Sequence, residues 1–301
     1  MALLLYILAP TSIVTSALVG SMTNPSDVSA VVCTLNSIAS IAQCLESLRV
    51  SGVGELIVVD AGSTDGTREI ASAMADQVLD DPGTGLGNAR NIGIAKTTRK
   101  FILNMGSDNV MPDGQLQLML DDLVNLAVQG VSAGTGITGA DYLAYGLNSW
   151  RQGRFPPGPV AIIGTPTLFV GDLLRANPYD PTRKFSDDSE LCERWAQDFD
   201  AKFAISSARV LEIGKTTWAE VVARCHMYGV SDAEVFTTGT RSGWGIRRKL
   251  KSVLHPARVD LLEPLTRLDA IDGLKTAPFL TAFTTMRYYF WVRSTISQRG
   301  S

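Results

Sequence analysis

Short apolar runs that end in polar residues recur along the first third of the chain. Residues 28–36 and 56–60 are β-branched and apolar until they reach Asn36 and Asp60. A short apolar run of this kind is typical of a strand buried inside a sheet. The residues between the two runs have apolar positions at helical spacing. The order strand, helix, strand predicts a parallel sheet within an α/β fold.

Two further segments extend this pattern. A glycine-rich loop at 83–93 leads into a predicted helix, and an apolar run at 101–105 is followed by Asp108. Three strand ends therefore bring Asn36, Asp60 and Asp108 to one edge, where open α/β sheets bind their ligands. Simpler interpretations stay open, since Asp60 could cap the next helix and Asp108 could form a plain turn.

Together these segments resemble family 2 glycosyltransferases, whose nucleotide-sugar-binding fold is called GT-A. The matching segments are Thr34-Leu35-Asn36, residues 60–67, residues 87–93, Gly106-Ser107-Asp108-Asn109 and residues 187–194. The resemblance covers roughly residues 28–235. It implies a Rossmann-like, mostly parallel sheet flanked by helices, with a C-terminal helical extension.

We expect three regions in the chain. Residues 1–25 form an apolar N-terminal extension, residues 26–238 the GT-A domain, and residues 239–301 a basic and amphipathic helical region. The first twenty residues carry no charge and are just long enough to span a bilayer. They have three possible explanations: a membrane anchor, a weak signal-like segment, or a start codon upstream of a true start at Met22.

The resemblance also implies the residues of a donor site. Thr34 and Asn36 would line the nucleoside pocket, and Asp60 would accept hydrogen bonds from the base. Arg90 would lie near the nucleotide and pair with Asp60 or with the diphosphate, and the guanidinium fork suits both partners. The alternative for Arg90 is a solvated charge on a helix surface.

A metal site is implied at the end of the strand near residue 105. The family normally carries an Asp-any-Asp pattern where this chain has Gly106 and Asp108, so the first carboxylate is missing. Asp108 stands at the position that binds the metal, and Asn109 would contact the donor or add an amide oxygen. Hard oxygen ligands suit Mg²⁺ or Mn²⁺, which would neutralise the leaving diphosphate.

The proton acceptor of the reaction is implied by the segment Asp187-Asp188. It resembles the family's Glu-Asp pair, whose second member takes the acceptor's proton in an inverting transfer. Asp188 would lie at the N-terminal end of a helix, where the helix dipole favours an ionised carboxylate. Both aspartates could instead only cap the helix, and Glu190 is a third candidate base.

Composition agrees with a large globular domain. Hydrophobic residues make up 45% of the chain and the net charge is −3, which argues against broad nucleic-acid binding. The four cysteines are widely spaced and form no Cys-x-x-Cys pair, so zinc and redox motifs are not indicated. We interpret Cys33 and Cys44 as small core residues, and we expect a reducing compartment.

The segment from Arg241 to Arg258 has a different character. It contains six basic residues, no acidic residue, and interleaved apolar residues. This pattern predicts a basic amphipathic helix that lies on an anionic membrane surface. The alternative is a pair of helices that packs back on the catalytic domain. We therefore expect a cytoplasmic protein, peripheral on the inner face of the membrane.

The expected function is inverting transfer of a sugar from a nucleotide-diphosphate sugar to an acceptor hydroxyl. UDP is the family's commonest carrier, and the acceptor would be a cell-surface polysaccharide, a glycan or a lipid-linked saccharide. One alternative is a nucleotidyltransferase of similar fold, although residues 34–41 lack the basic residues of such enzymes. Another is a protein that binds a nucleotide sugar without turnover.

Overall fold

The computed structural model describes residues 23–182, 187–214 and 217–297. The predicted N-terminal extension lies outside the described residues up to position 22. Two compact units are present. The first consists of the chain up to Thr135 together with Pro157–Ile213, and the second of Gly136–Pro156 and the chain from Gly214 onward. The boundaries of the three regions expected from the sequence, at residues 25/26 and 238/239, stay predictions.

The described strands belong to one sheet. They are β1 (Val28–Thr34), β2 (Glu55–Asp60), β3 (Gln77–Asp80), β4 (Phe101–Gly106), β5 (Asn109–Val110), β6 (Gly130–Ile137), β7 (Gly158–Val160), β8 (Thr167–Val170) and β9 (Phe203–Glu212).

Helices follow most of these strands. Those of the first unit are α1 (Ile41–Val50), α2 (Thr67–Met74), α3 (Leu86–Ile94), α4 (Gln115–Asn125), α6 (Gly171–Ala176) and α7 (Asp187–Phe199). Those of the second unit are α5 (Tyr142–Arg154), α8 (Trp218–Arg241), α9 (Ile246–Ala257), α10 (Glu263–Arg267) and α11 (Ala270–Ser297), with a π-helical turn at Arg258–Leu262.

The order of the strands decides which side chains meet. The sheet runs β3-β2-β1-β4-β8-β6-β9-β5, and β7 pairs with β9. Strands β3, β2, β1 and β4 are parallel, whereas β8 is antiparallel to β4. In this register Thr34 lies beside Asp60, and Cys33 lies beside Gly106. The α/β class and the shared edge of the parallel strands are thus confirmed, and the antiparallel strands were not foreseen.

The central strands are apolar because helices cover both faces of the sheet. Val28, Ala30 and Val32 of β1 belong to one buried cluster, which also contains the helical positions Ile41 and Leu45. Parallel strands that are buried on both faces read as continuous apolar runs rather than alternating ones. This explains why the sequence signal for β1 and β2 was strong.

The second unit has its own core between α5, α8 and α11. Trp150 is 1% exposed and packs on Phe283, with the two ring centres 4.9 Å apart. Its indole nitrogen donates a hydrogen bond of 3.0 Å to the buried carboxylate of Asp260. Trp150 is therefore a core residue of the second unit. No helix in the described part of the chain combines the length and the apolar character needed to cross a membrane.

Close approach of α3 to the sheet requires glycine at position 93. A Cβ atom there would lie 2.5 Å from Cγ1 of Val31 and 3.1 Å from Cγ2 of Val59. Both valines are buried, and their branched side chains have little freedom to move away. The contact sets the distance between α3 and the sheet, and with it the position of the other side chains on α3.

We predict that Gly93→Ala lowers the free energy of unfolding by about 1–3 kcal/mol, the usual cost of overpacking a core. The matched control is Gly87→Ala on the same helix, where a Cβ atom would meet Asp187 at an ordinary contact distance of 3.4 Å. Chemical denaturation of both variants measures the effect. Equal stability of the two variants would contradict the packing argument.

Candidate active site

Asp60 ends β2 as a buried carboxylate. It is 1% exposed and accepts hydrogen bonds from the backbone nitrogen of Ser63 at 3.1 Å and from its hydroxyl at 2.5 Å. Arg68 lies 3.4 Å from the same carboxylate and also pairs with Asp80 at 2.7 Å. The predicted pairing of Asp60 with Arg90 is therefore replaced here by a pairing with Arg68, which sequence reasoning missed.

The end of β1 supplies Thr34 and Asn36. The Thr34 hydroxyl is buried and has no hydrogen-bond partner among the described residues, so a polar ligand atom would satisfy it. Asn36 has a left-handed backbone (φ 49°), and its side-chain oxygen accepts a hydrogen bond of 3.0 Å from the nitrogen of Thr64. Its backbone nitrogen donates to the Ser63 hydroxyl at 2.9 Å. Asn36 thus ties the loop after β1 to the loop after β2.

The turn after β4 is compact and rich in oxygen atoms. A Cβ atom on Gly106 would lie 2.8 Å from Oδ1 of Asp108 and 3.1 Å from Oδ1 of Asn109. The side chains of Asp108 and Asn109 therefore fill the space that a carboxylate at position 106 would need. Oδ1 of Asn109 also accepts a hydrogen bond of 3.3 Å from the Gly106 nitrogen.

This turn fits a divalent metal only as a partial ligand set. Within the described ranges, no group of three His, Cys, Asp or Glu side chains is placed to hold a metal ion. Asp108 offers one carboxylate beside an amide oxygen, and Mg²⁺ is commonly held by one or two carboxylates together with substrate phosphates. The residues therefore fit a metal that binds together with a diphosphate.

Arg90 is a buried cation at the centre of a second cluster. Its side chain is only 7% exposed, and Nη1 lies 2.7 Å from Asp187 and 2.9 Å from Asp188. Nη2 donates a hydrogen bond of 2.5 Å to the hydroxyl of Thr165, and the guanidinium lies 5.1 Å from the ring centre of Tyr179. A solvated surface charge, the alternative for Arg90, is excluded by this burial.

Asp188 lies in the first turn of α7, as predicted from the sequence. Its Oδ1 accepts hydrogen bonds from Arg90 at 2.9 Å and from the Tyr179 hydroxyl at 3.3 Å. Burial raises the pKa of Asp188, Asp187 raises it further, and Arg90 and Tyr179 oppose the rise. A carboxylate with a raised pKa is a stronger base than an exposed aspartate.

The other candidate base has a different environment. Glu190 accepts a hydrogen bond of 2.6 Å from Nε of Arg194, one turn further along α7. Its carboxylate is thus paired within its own helix, whereas Asp188 faces Arg90 on α3. The assignment of the base among these side chains stays a prediction, and Asp188 has the environment that best suits it.

Tyr179 was not found by sequence reasoning, although it organises this cluster. It is buried, and its backbone nitrogen and oxygen are both bound by the side chain of Asn91, at 3.0 Å and 2.8 Å. Asn104 on β4 donates a hydrogen bond of 3.2 Å to its hydroxyl. The only available signal was Asn91, which directly follows Arg90 in the glycine-rich segment.

The chain is similar in sequence to known glycosyltransferases. Residues 29–177 match the family model described as glycosyl transferase family 2. The glycosyltransferase AglJ of Haloferax volcanii is 30% identical over 103 residues, which is 34% of each chain. A PGL/p-HBAD biosynthesis glycosyltransferase of Mycobacterium bovis is 34% identical over 89 residues, 27% of this chain and 35% of the relative. The chain thus spans about a third of the length of these curated relatives.

A solved structure extends the likeness to the whole fold. The structure of S. aureus TarS 1-349 in complex with UDP-GlcNAc is 15% identical to this chain, covers 91% of both chains and superposes with a TM-score of 0.52. At this identity the likeness concerns the fold alone, and it confirms the predicted GT-A fold.

We predict that Tyr179→Phe raises the pKa of Asp188, because the lost hydroxyl stabilises the carboxylate through a hydrogen bond. Titration of the Asp188 carboxyl by ¹³C NMR measures the shift. The control is Tyr145→Phe, whose hydroxyl binds Asp272 at 2.8 Å instead and should leave the titration unchanged. An unchanged or lowered pKa in the Tyr179 variant would show that the hydroxyl does not act on Asp188.

Proposed function

We propose, because the chain belongs to glycosyl transferase family 2, that it transfers a sugar from a nucleotide-diphosphate donor to an acceptor hydroxyl. One observation carries this proposal. Asp188 is held beside the buried Arg90 by hydrogen bonds, and Arg90 lies on α3, which begins at the edge where β2 and β4 end in Asp60 and Gly106. The proposed base and the proposed donor-binding groups would thus share one edge of the sheet.

The donor is proposed to be a UDP-sugar. TarS, which shares the fold, is described in complex with UDP-GlcNAc, which supports a uridine carrier for this chain. Thr34 brings a buried hydroxyl that has no hydrogen-bond partner within the described ranges, and Asp60 brings a buried acceptor at the end of the neighbouring strand. These groups suit the polar atoms of a nucleoside, and Asn36 holds the two loops that frame them.

The reaction is proposed to invert the anomeric carbon. Asp188 takes the proton from the acceptor hydroxyl while the oxygen attacks the sugar carbon from the face opposite the diphosphate. The bond between that carbon and the diphosphate oxygen breaks, and the nucleotide diphosphate leaves with the electron pair. Arg90 and Tyr179 orient the carboxylate, so the base needs no rearrangement when the acceptor binds.

Asp108 is proposed to bind Mg²⁺ or Mn²⁺ together with the donor, with Asn109 beside it. Such a metal, when bound, neutralises charge on the leaving diphosphate. Since the protein contributes a single carboxylate at this turn, metal affinity should depend on the donor's phosphates. The side-chain oxygens of both residues lie close to one point, 2.8 Å (Asp108) and 3.1 Å (Asn109) from where a Cβ atom on Gly106 would be, which supports this arrangement.

A second candidate function is binding of a nucleotide sugar without turnover. The glycine at position 106, where the family pattern has a carboxylate, is the observation that favours it. The two functions differ in donor hydrolysis, which a transferase performs slowly with water as acceptor. Release of UDP from a UDP-sugar in the presence of Mn²⁺ separates them.

The acceptor is proposed to be a growing cell-surface polysaccharide, a glycan or a lipid-linked saccharide, reached from the cytoplasmic face of a membrane. The supporting observation is the segment from Arg241 to Arg258, in which six basic residues occur without an acidic one. Basic side chains near an anionic leaflet each add about 1 kcal/mol of binding free energy. Peripheral association would place the active site near a lipid-linked acceptor.

We predict that Asp188→Asn lowers the rate of sugar transfer by about 10²–10⁴-fold, the typical contribution of a positioned base. Donor affinity should stay near that of the wild type and the fold should survive, whereas the free energy of unfolding should fall, because Arg90 loses one of its two carboxylate partners. Rates are measured at saturating donor and over a range of pH. The wild-type rate should fall as pH decreases through the raised pKa of Asp188, because protonation removes the base.

Glu190→Gln is the control for this experiment, since Glu190 pairs with Arg194 on its own helix. Near-normal transfer in Asp188→Asn, together with an inactive Glu190→Gln or Asp187→Asn, would move the role of base to that neighbour.

We predict that Asp108→Asn abolishes the effect of Mn²⁺ on donor binding, because a neutral amide is a poorer ligand for a hard cation. Thermal-shift titrations of UDP-sugars with and without Mn²⁺ measure it, and a true donor at a hundred times its Kd adds about 2.7 kcal/mol of stability. Asp113→Asn, in the exposed turn that follows, is the control. A metal effect that survives in Asp108→Asn would place the ion elsewhere.

A further inference from the structure

Helix α9 exposes an apolar stripe to solvent. Ile246, Leu250 and Leu254 are 84%, 57% and 52% exposed. Their spacing of four residues places them on one face of the helix. The apolar face of a helix in a globular protein normally turns toward a core. Here the buried residue of α9 is Pro256, which at 100° per residue lies about 80–160° around the helix axis from the three stripe residues.

Basic side chains flank this stripe. At 100° per residue, Arg247 and Lys251 lie next to the apolar stripe on the circumference of the helix, and Arg248 lies beyond them in the same direction. All three are exposed. Within the described part of the chain, no ion pair engages Arg248 or Lys251, and the guanidinium of Arg248 rests 4.6 Å from the ring centre of Trp244.

A cavity of about 510 Å³ opens beside these basic residues, between α8 and α9. Its lining consists of Asp232, Val235, Trp244, Arg248, Lys251, Ser252, Leu254, His255 and Arg258. Arginine and lysine contribute three of these side chains, and aspartate contributes one. The cavity also reaches the apolar stripe, since Leu254 belongs to both.

The single carboxylate of the cavity is already neutralised. Asp232 accepts two hydrogen bonds from Arg287, at 2.6 Å and 2.8 Å. Arg287 is 4% exposed and also binds the buried Asp260 at 2.5 Å, which in turn pairs with Arg154. Two cations and two anions balance in this network. Arg258 has a partner in Glu263 at 3.4 Å. Arg248 and Lys251 are thus the lining cations that have no ion-pair partner among the described residues.

We propose that this cavity binds the phosphate of an anionic membrane lipid while Ile246, Leu250 and Leu254 enter the surrounding leaflet. The inference rests on the proposed peripheral association and specifies the contact that produces it. A guanidinium donates paired hydrogen bonds to phosphate oxygens, and an ammonium adds a mobile charge. A soluble phosphate would bind the same cations, but it would make no contact with the exposed apolar stripe beside them.

The test compares two double variants that remove the same charge. Arg248→Gln with Lys251→Gln removes two of the cations that line the cavity, and Arg241→Gln with Arg247→Gln removes two basic residues that do not line it. Each protein is sedimented with phosphatidylcholine vesicles that contain or lack phosphatidylglycerol. Circular dichroism and UDP-sugar binding confirm that each variant is folded.

We expect the wild type to bind only the anionic vesicles. The control variant should lose affinity through charge alone, by roughly fivefold per residue. The cavity variant should lose about tenfold more than the control, because direct charge-assisted hydrogen bonds are lost as well. Leu250→Ser, which leaves every cavity residue in place, should also weaken binding.

Equal losses in the two double variants would overturn the cavity proposal and leave a diffuse electrostatic attraction to the membrane. Stabilisation of the wild type by glycerol 1-phosphate or inorganic phosphate, with vesicle binding insensitive to Leu250→Ser, would assign the cavity to a soluble phosphate and refute the lipid. Failure of the wild type to bind anionic vesicles would refute peripheral association as well. Donor hydrolysis is measured without vesicles, so none of these outcomes affects the proposed sugar transfer.

Discussion

The ion pairs of Arg90 are the interaction on which the proposed active site depends. A guanidinium that is 7% exposed has lost most of its hydration, and this loss is costly unless hydrogen-bonded carboxylates compensate it. Asp187 and Asp188 provide that compensation, and Thr165 and Tyr179 complete the shell around the cation. The same contacts connect α3 with α7, two helices that are nearly a hundred residues apart in the chain.

The contacts of Arg90 with the two aspartates affect both the stability of the fold and the proposed proton transfer. A base has to be available to a substrate, and Asp188 keeps 24% of its side chain exposed while Asp187 keeps 14%. Arg90 thus holds one carboxylate mainly as a partner and a second one that still reaches solvent. Burial raises the pKa of Asp188, and the nearby cation limits that rise. The balance between burial and charge sets the pKa of Asp188, the proposed base.

The second unit uses buried charge in a different way. Asp260 is fully buried, and Arg287 and Arg154 compensate it beneath the helices that carry the basic segment. Because Arg287 also binds Asp232, the carboxylate in the neighbouring cavity is not available to Arg248 or Lys251. Among the residues that the structure describes, Arg248 and Lys251 are therefore left without an ion-pair partner. These cations and the exposed apolar stripe of α9 are the observations behind the proposed contact with an anionic lipid surface.

The sequence by itself determined the parallel part of the fold and its binding edge. Continuous apolar runs, such as Val28–Thr34 and Glu55–Asp60, are a local signal for strands buried on both faces, and their order predicts parallel pairing. The glycine-rich segment before Arg90 and the acidic start of α7 carried equally local signals. These positions were identified because their signal lies in a few consecutive residues.

Only the tertiary structure decided which charges meet. Asp60 pairs with Arg68, and Arg90 pairs with Asp187 and Asp188, because the helix packing sets distances that no local pattern encodes. Tyr179 became visible only through the hydrogen bonds that Asn91, Asn104 and Asp188 make with it. Likewise, an amphipathic pattern predicted helix α9, but only its packing revealed that the leucines face solvent rather than a core. Periodicity reports that a helix has two faces, whereas burial depends on residues that are distant in the chain.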